Sequence, residues 1–251
     1  MMLEHFKGDE IFVKKILDYQ NQAQNYQKMI LTPFYNPHEQ EIIHKVIGTH
    51  DLMVKSYGGF LNAENQRMII CPDFYEITDD DFEVVVVEVV YNCQFGKLLH
   101  KDVLGALMSL GIKREHIGDI YDSEHLYFSC SCQTYTYIQN HLKQIKRSKI
   151  HLEIVKEKIE IEHQYHVKTF FISSWRLDKI VSTLFHISRQ NANEAIRAGF
   201  VKVNHKEVEE VSFLCHNNDM ISLKRHGRVK IVDEEKRSRQ GSYVVKGYFY
   251  K

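Results

Sequence analysis

Apolar positions recur with helical spacing at the start of the chain. Over 9–30, Ile11, Phe12, Lys15, Ile16 and Tyr19 approximate one helix face, and Asp9 stands where a cap would. Pro33 and Pro37 break the pattern. A second helix is predicted over 38–48 from Ile42, Ile43, Val46 and Ile47, with Gly48 as its stop. Residues 52–60 (LMVKSYGGF) and 67–74 (RMIICPDF) then read as strands joined by a polar stretch. Together these elements predict a small α/β domain over 1–80.

The next segment alternates its periods. Residues 83–91 are β-branched and strand-like. Leu98, Val103, Leu104, Leu107 and Leu110 make an amphipathic helix over 97–111. Two short strands follow across a turn at Asp122-Ser123, then a helix over 134–146 and a last strand or strand pair over 150–161. The order β-α-β-β-α-β is that of ferredoxin-like and RNA-recognition-motif (RRM) folds, assigned to 81–165. An RRM stacks bases on aromatics of its central strands. Here Tyr127 and Phe128 are adjacent and so face opposite ways, and the glycine-aromatic consensus is missing. A packing and docking domain is expected.

A third pattern fills 170–251. Ser173 or Ser174 is expected to cap a helix whose inner face is Leu177, Ile180, Val181 and Leu184. Ser188 caps a second helix with Ala192, Ala195 and Ile196 inward, stopped by Gly199. Strands follow at FVKVN and NDMISLKRHG, with basic residues at Lys224, Arg225, Arg228 and Lys230. The fold class is α+β throughout.

Composition changes this picture in one respect. Hydrophobic residues make up 43% and charged residues 26% of 251, which excludes wholesale disorder. The longest apolar run, Val84–Val87, falls far short of the ~18 residues that span a bilayer, and MMLEHFKGDE has no apolar signal core, so a cytoplasmic, non-membrane protein is expected. Net charge is zero, but it is split. Residues 1–173 hold 18 Lys+Arg against 24 Asp+Glu, and residues 174–251 hold 15 against 9. Such asymmetry points to an appended nucleic-acid-binding end. Five cysteines without a C-x-x-C read as buried free thiols, and the run Asp79–Asp81 with Glu83 reads as a solvated linker, so no metal and no cofactor are expected.

The basic residues of the helix pair are Arg176, Lys179, Arg189, Arg197 and, on the strand beyond, Lys202. Guanidinium groups grip phosphate oxygens through paired N–H bonds, and lysines add point charge. Arg189 sits in the first turn of its helix, where a cation opposes the dipole by ~0.3–1 kcal/mol. A ligand-facing role would explain that choice. Charge reversal at Lys179 and Arg189 is expected to abolish co-sedimentation with the nucleic-acid partner while leaving the chain folded.

The pattern R-L-D-K…S-R-x-x-A-x-x-x-I-x-x-G-x-V-x-V-N…D-x-I, from Arg176 to Ile221, resembles the S-four (alpha-L) RNA-binding domain. Asn204-His205 replaces the usual Asn-Gly turn, and Asn218 replaces the Gly before Asp219. The stretches GGF-x-x-AE-x-x-R (58–67) and H-K-D-x-LGALMSLGI-x-R-x-x-IGDI (100–120) resemble the YlmH family of bacterial RNA-binding proteins. That resemblance implies RNA contacts at Arg176, Lys179, Ser188, Arg189, Arg197, Lys202, Asn204 and Lys206. It also implies rRNA and tRNA as partners on the large ribosomal subunit, a role in ribosome-associated quality control, a monomer, and no catalytic residue. Two alternatives are an RNA-modifying enzyme of the pseudouridine synthase type and a division-linked adaptor. Arg176-Leu177-Asp178 resembles the sequence around the catalytic aspartate of those synthases, and His116-Ile117-Gly118-Asp119 the H-I-G-H of class I tRNA synthetases. Asp178 is expected to pair with a neighbouring cation instead.

Overall fold

The computed structural model describes residues 6, 8–48 and 51–250. The chain divides into two compact units, Met1–Ile161 and Glu162–Lys251.

In the first unit, helix α1 (Glu10–Tyr26) buries Val13, Ile16 and Ala23 and ends where Gln27 turns left-handed, at φ 48°. It stops short of the predicted end because the apolar residues after it belong to a strand, β1 (Ile30–Tyr35). Asp9 occupies the N-cap position without a side-chain cap bond; its Oδ2 lies 3.2 Å from His38 Nε2. Pro33 conceals β1 in the sequence, yet it is tolerated because β1 is an edge strand and its register slips between Leu31 and Phe34. At the slip Thr32 Oγ1 accepts from the Met68 backbone N–H at 2.8 Å and fills the ladder position. Pro37 opens α2 (Pro37–Ile47) rather than breaking a helix, behind a capping box of Asn36 and Glu39. With β2 (Leu52–Tyr57) and β3 (Gln66–Pro72) the sheet order is β1-β3-β2.

The same unit continues with β4 (Val84–Tyr91), α3 (His100–Ser109), β5 (Ile117–Asp122), β6 (Leu126–Ser131), α4 (Cys132–His141), β7 (Gln144–Ile145) and β8 (Ser148–Val155). The sheet order β5-β6-β4-β8-β7 contains the ferredoxin-like arrangement in its first four strands. Val87, Val89, Phe128 and Leu152 face Val103, Leu107 and Ile138 from the two helices. Both helices are shorter than their periodicity predicts. Gly96 and a 3-10 turn at Cys93–Phe95 precede α3, and the two-residue strand β7 takes the end expected for α4.

One buried carboxylate joins the two layers of this unit. Asp119 on β5 accepts from the Glu64 N–H at 2.6 Å and the Asn65 N–H at 3.2 Å, and also from the Asn65 side-chain amide. Burial pushes its pKa above the usual carboxylate range although those donors oppose it. Beside it Gly59, at φ +90°, lies against β4 so closely that a Cβ would come within 2.8 Å of Val86. The stretches that carry the family resemblance thus converge on an internal joint. The acidic run forms a 3-10 turn (Asp79–Phe82) and spends its charges separately. Asp81 accepts from Thr78, and Asp79 pairs with Lys158 at 2.9 Å. Among the described residues no group of three or more metal-binding side chains forms. Cys71, Cys130 and Cys215 are buried free thiols, but Cys93 and Cys132 are exposed, contrary to expectation. Among the described residues no helix is long and apolar enough to cross a membrane.

The second unit holds β9 (Tyr165–Ile172), α5 (Leu177–Phe185), α6 (Arg189–Arg197), β10 (Val201–Val203), β11 (Lys206–Glu207), β12 (Met220–Leu223), β13 (Gly227–Arg237) and β14 (Tyr243–Tyr250). Its sheet runs β11-β10-β12-β13-β14-β9. Leu177, Ile180, Val181, Leu184, Ala192 and Ile196 from the helices pack on Val201, Val203, Ile221, Val229 and Val245 of the sheet.

Asp119→Ala leaves the Glu64 and Asn65 donors without their acceptor. It is expected to cost about 2–3 kcal/mol, measured as a lower urea midpoint of the full chain at unchanged m.

Candidate nucleic-acid interface

Helix α5 begins against a partner segment, not a capping serine. Arg176 holds the N-cap position in extended backbone without a side-chain cap. Leu177 and Asp178 donate their N–H groups to the carbonyls of Phe213 and Val211, at 2.8 and 3.3 Å. The serines expected to cap do something else. Ser173 takes a bond from Lys179 Nζ at 3.0 Å, and Ser174 Oγ is buried without a hydrogen-bond partner among the described residues. Helix α6 is capped as predicted, with Ser188 Oγ accepting from the Asn191 N–H at 3.1 Å.

The two helix starts meet at Asp178. Its carboxylate is fully buried and takes Arg176 Nε on Oδ1 at 3.0 Å. Arg189 converges on Oδ2 through Nε at 2.8 Å and Nη2 at 2.7 Å. Burial pushes the Asp178 pKa up, but the hydrogen bonds and charges of Arg176 and Arg189 outweigh it and hold it below the usual aspartate value. Asp178 is therefore a structural partner of the basic face. The dipole-opposing position of Arg189 has a partner inside the fold, so a ligand is not needed to explain it. Both arginines remain part-exposed, at 39% and 58% of their side chains.

The eight predicted contact residues do not form one surface. Arg176, Lys179, Ser188 and Arg189 cluster at the start of the helix pair. Arg197 lies exposed in the last turn of α6, where a cation suits the dipole, with no partner among the described residues. Lys202 alternates with the core residues Val201 and Val203, so it points to the opposite side of the sheet. Asn204 is spent within the fold: its amide donates to Asp219 at 2.7 Å and its oxygen accepts from the Met220 N–H at 2.8 Å. Asn204 and His205 both have positive φ, 49° and 69°, forming the tight hairpin that Asn-Gly otherwise supplies before Lys206 on β11. Asn218, at φ 70°, replaces glycine in the same way.

Other features bear on where nucleic acid could touch the chain. Lys224 stands 4.7 Å from the ring centroid of the exposed Phe200. The RRM-like sheet is covered on the face an RRM would open to RNA: Phe60, Ala63 and Ile161 pack on Val86, Tyr121 and Tyr127. Two surface hollows of about 340 and 290 Å³ occur in the first unit, one beside Lys97, Lys146 and Arg147 and the other beside Asp51 and Asp73. Asp119 lines neither.

Comparison with known proteins places these features. Three family models match: "YlmH, N-terminal" over 8–75, "Putative RNA-binding domain in YlmH" over 78–159 and "S4 domain" over 175–221. The chain is 31% identical over 250 residues to the Ribosome-associated protein quality control protein P2 of Bacillus subtilis (strain 168), covering 96% of each. It also resembles the solved structure of the Cell division protein ylmH from Streptococcus pneumoniae, with a TM-score of 0.55 and 28% identity over 61% of this chain and 94% of that one. These matches support an RNA-binding role.

Arg189→Glu sets a second carboxylate against the buried Asp178, so the variant loses stability as well as charge. A cost of roughly 3–5 kcal/mol is expected by chemical denaturation. That corrects the expectation that charge reversal at Arg189 leaves the chain folded. The stability that the clamp contributes is present in full above the ordinary aspartate pKa of about 4, and is lost as pH falls through the lowered folded-state value. Asp178→Asn is expected to flatten that acid-side fall in denaturation midpoints measured against pH.

Proposed function

The chain belongs to the YlmH family, and on that premise we propose that it binds rRNA and tRNA on the large ribosomal subunit during quality control of stalled translation. One observation carries this reading from the structure: the start of the α5–α6 pair presents Arg176 and Arg189 held in place by one buried carboxylate. A guanidinium fixed by one partner offers its remaining N–H groups in a set direction, which suits a phosphate. Lys179 and Arg197 add charge on the same two helices, and the balance of 15 cations to 9 anions over 174–251 draws RNA from a distance.

In this reading the chain carries three modules, 1–80, 81–165 and 170–251. It acts as a cytoplasmic monomer, by binding and not by catalysis. Asp178 and Asp119, the carboxylates in the two enzyme-like motifs, are spent on internal hydrogen bonds. A second reading, a division-linked adaptor, draws on the similarity to the Streptococcus pneumoniae protein, which is named for cell division. In that case protein contacts persist when RNA binding is lost.

The double variant Lys179→Glu/Arg197→Glu keeps the Asp178 clamp whole. It is expected to abolish co-sedimentation with large subunits while lowering the melting temperature by no more than a few degrees. Before binding is lost, each single variant is expected to lower the log–log salt slope by about 1. Unchanged pelleting of the double variant would remove the helix pair from the interface.

A further inference from the structure

We propose that the open face of the C-terminal sheet, turned away from α5 and α6, is a second RNA surface that stacks unpaired bases of single-stranded RNA. The proposal goes beyond the helix-pair reading and uses the opposite side of the sheet.

Strand register builds the surface. Tyr165 on β9 stands opposite Tyr250 on β14, and Val167 stands opposite Tyr248. Lys230 on β13 stands opposite Tyr248 on the other side. The alternation of a strand sends Tyr165, Tyr248, Tyr250, Arg228 and Lys230 to one face, while Val229, Ile231 and Val245 enter the core. The rings form a contiguous group. Tyr165 lies 4.9 Å from Tyr250 and 5.9 Å from Tyr248, centroid to centroid. The Arg228 guanidinium lies 4.5 Å from the centroid of Tyr250.

The β9 edge of this face is open to solvent, and Tyr248, Tyr250, Arg228 and Lys230 behind it are half-buried. Tyr165 is 42%, Val167 45% and Phe171 60% exposed. A contiguous apolar and aromatic patch of this kind marks a binding surface. Its charge selects the partner. Lys202 shares the face by alternation, and Lys202 and Lys230 have no acidic partner among the described residues. Glu234 is occupied by Lys246 at 2.8 Å, and Glu207 lies opposite Lys202 at the far edge. Aromatic rings interleaved with cations fit bases between phosphates, because every base offers a π-face and every linkage an anion. The RRM-like sheet cannot supply this platform, since Phe60 and Ile161 cover its equivalent face.

The test uses the full chain with a labelled single-stranded RNA of roughly ten nucleotides and a blunt duplex of the same sequence. Anisotropy is expected to show tighter binding of the single strand. Tyr165→Leu and Tyr248→Leu are each expected to weaken it about tenfold, while Tyr165→Phe, which keeps the ring, leaves it unchanged. Lys179→Glu/Arg197→Glu is expected to retain most single-strand binding, so failure of the helix-pair reading and failure of this one are told apart. As a control that needs no substitution, 4-thiouridine RNA photo-crosslinked to the unmodified chain is expected on peptides holding Tyr165 or Tyr248. Equal affinity for the duplex, leucine variants that bind as the parent does, or crosslinks confined to the helix pair, 176–197, would each overturn the proposal. So would leucine variants that lose a protein partner while their RNA affinity stands.

Discussion

The C-terminal unit depends on one carboxylate that is out of contact with water. Asp178 lies at the start of α5, and its oxygens hold Arg176 from its own helix and Arg189 from the next. A buried charge must be paired, and here the pairing also fixes how two short helices begin. Each helix spans only nine residues, too short to be stable on its own propensity. Packing on the sheet supplies most of their stability, and the clamp determines where their first turns lie. The same pairing orients the outward N–H groups of the arginines before any ligand arrives, which reduces the entropy lost on binding. In the proposed reading, folding and recognition rest on the same three side chains.

The two sheets that could meet RNA are finished in opposite ways. In the first unit the chain returns over the RRM-like sheet, with Gly59 allowing the close approach and Phe60 filling the face. The Asp119 bonds then fasten the 64–65 turn to β5. That sheet is a joint. In the second unit α5 and α6 cover one face, and among the described residues the other carries tyrosines and cations, with Tyr165 exposed and Tyr248 and Tyr250 half-buried. The βαββαβ order of the first unit thus says little about which face of its sheet is available.

Elements with strong local periodicity are legible in the sequence. The α5 and α6 cores, the β4 run and the α2 apolar face all stand where their spacing puts them. The losses have physical causes. Pro33 argues against a strand locally, and only the edge position and the Thr32 substitute bond make β1 possible. The pairing of Arg189 with Asp178 joins residues eleven apart on two helices, so no local spacing rule reports it. Motif membership alone assigns the Asn204 side chain to RNA, whereas that motif position stabilises a hairpin. The alternation of Tyr248 with Tyr250 is present in the sequence, but it has meaning only once β9 is known to lie beside β14.

That last pairing has a consequence in time. β9 and β14 are joined along all eight residues of each, yet α5, α6 and the strands β10 to β13 lie between them in the chain. During synthesis β9 is made first and its neighbour last, so both of its edges stay open while the rest of the unit forms. Closing so long a loop is entropically slow, and the unit can complete its sheet only at the end. Until then β9 offers an unpaired backbone with Phe171 beside it, and two half-made chains would meet through that strand before any other.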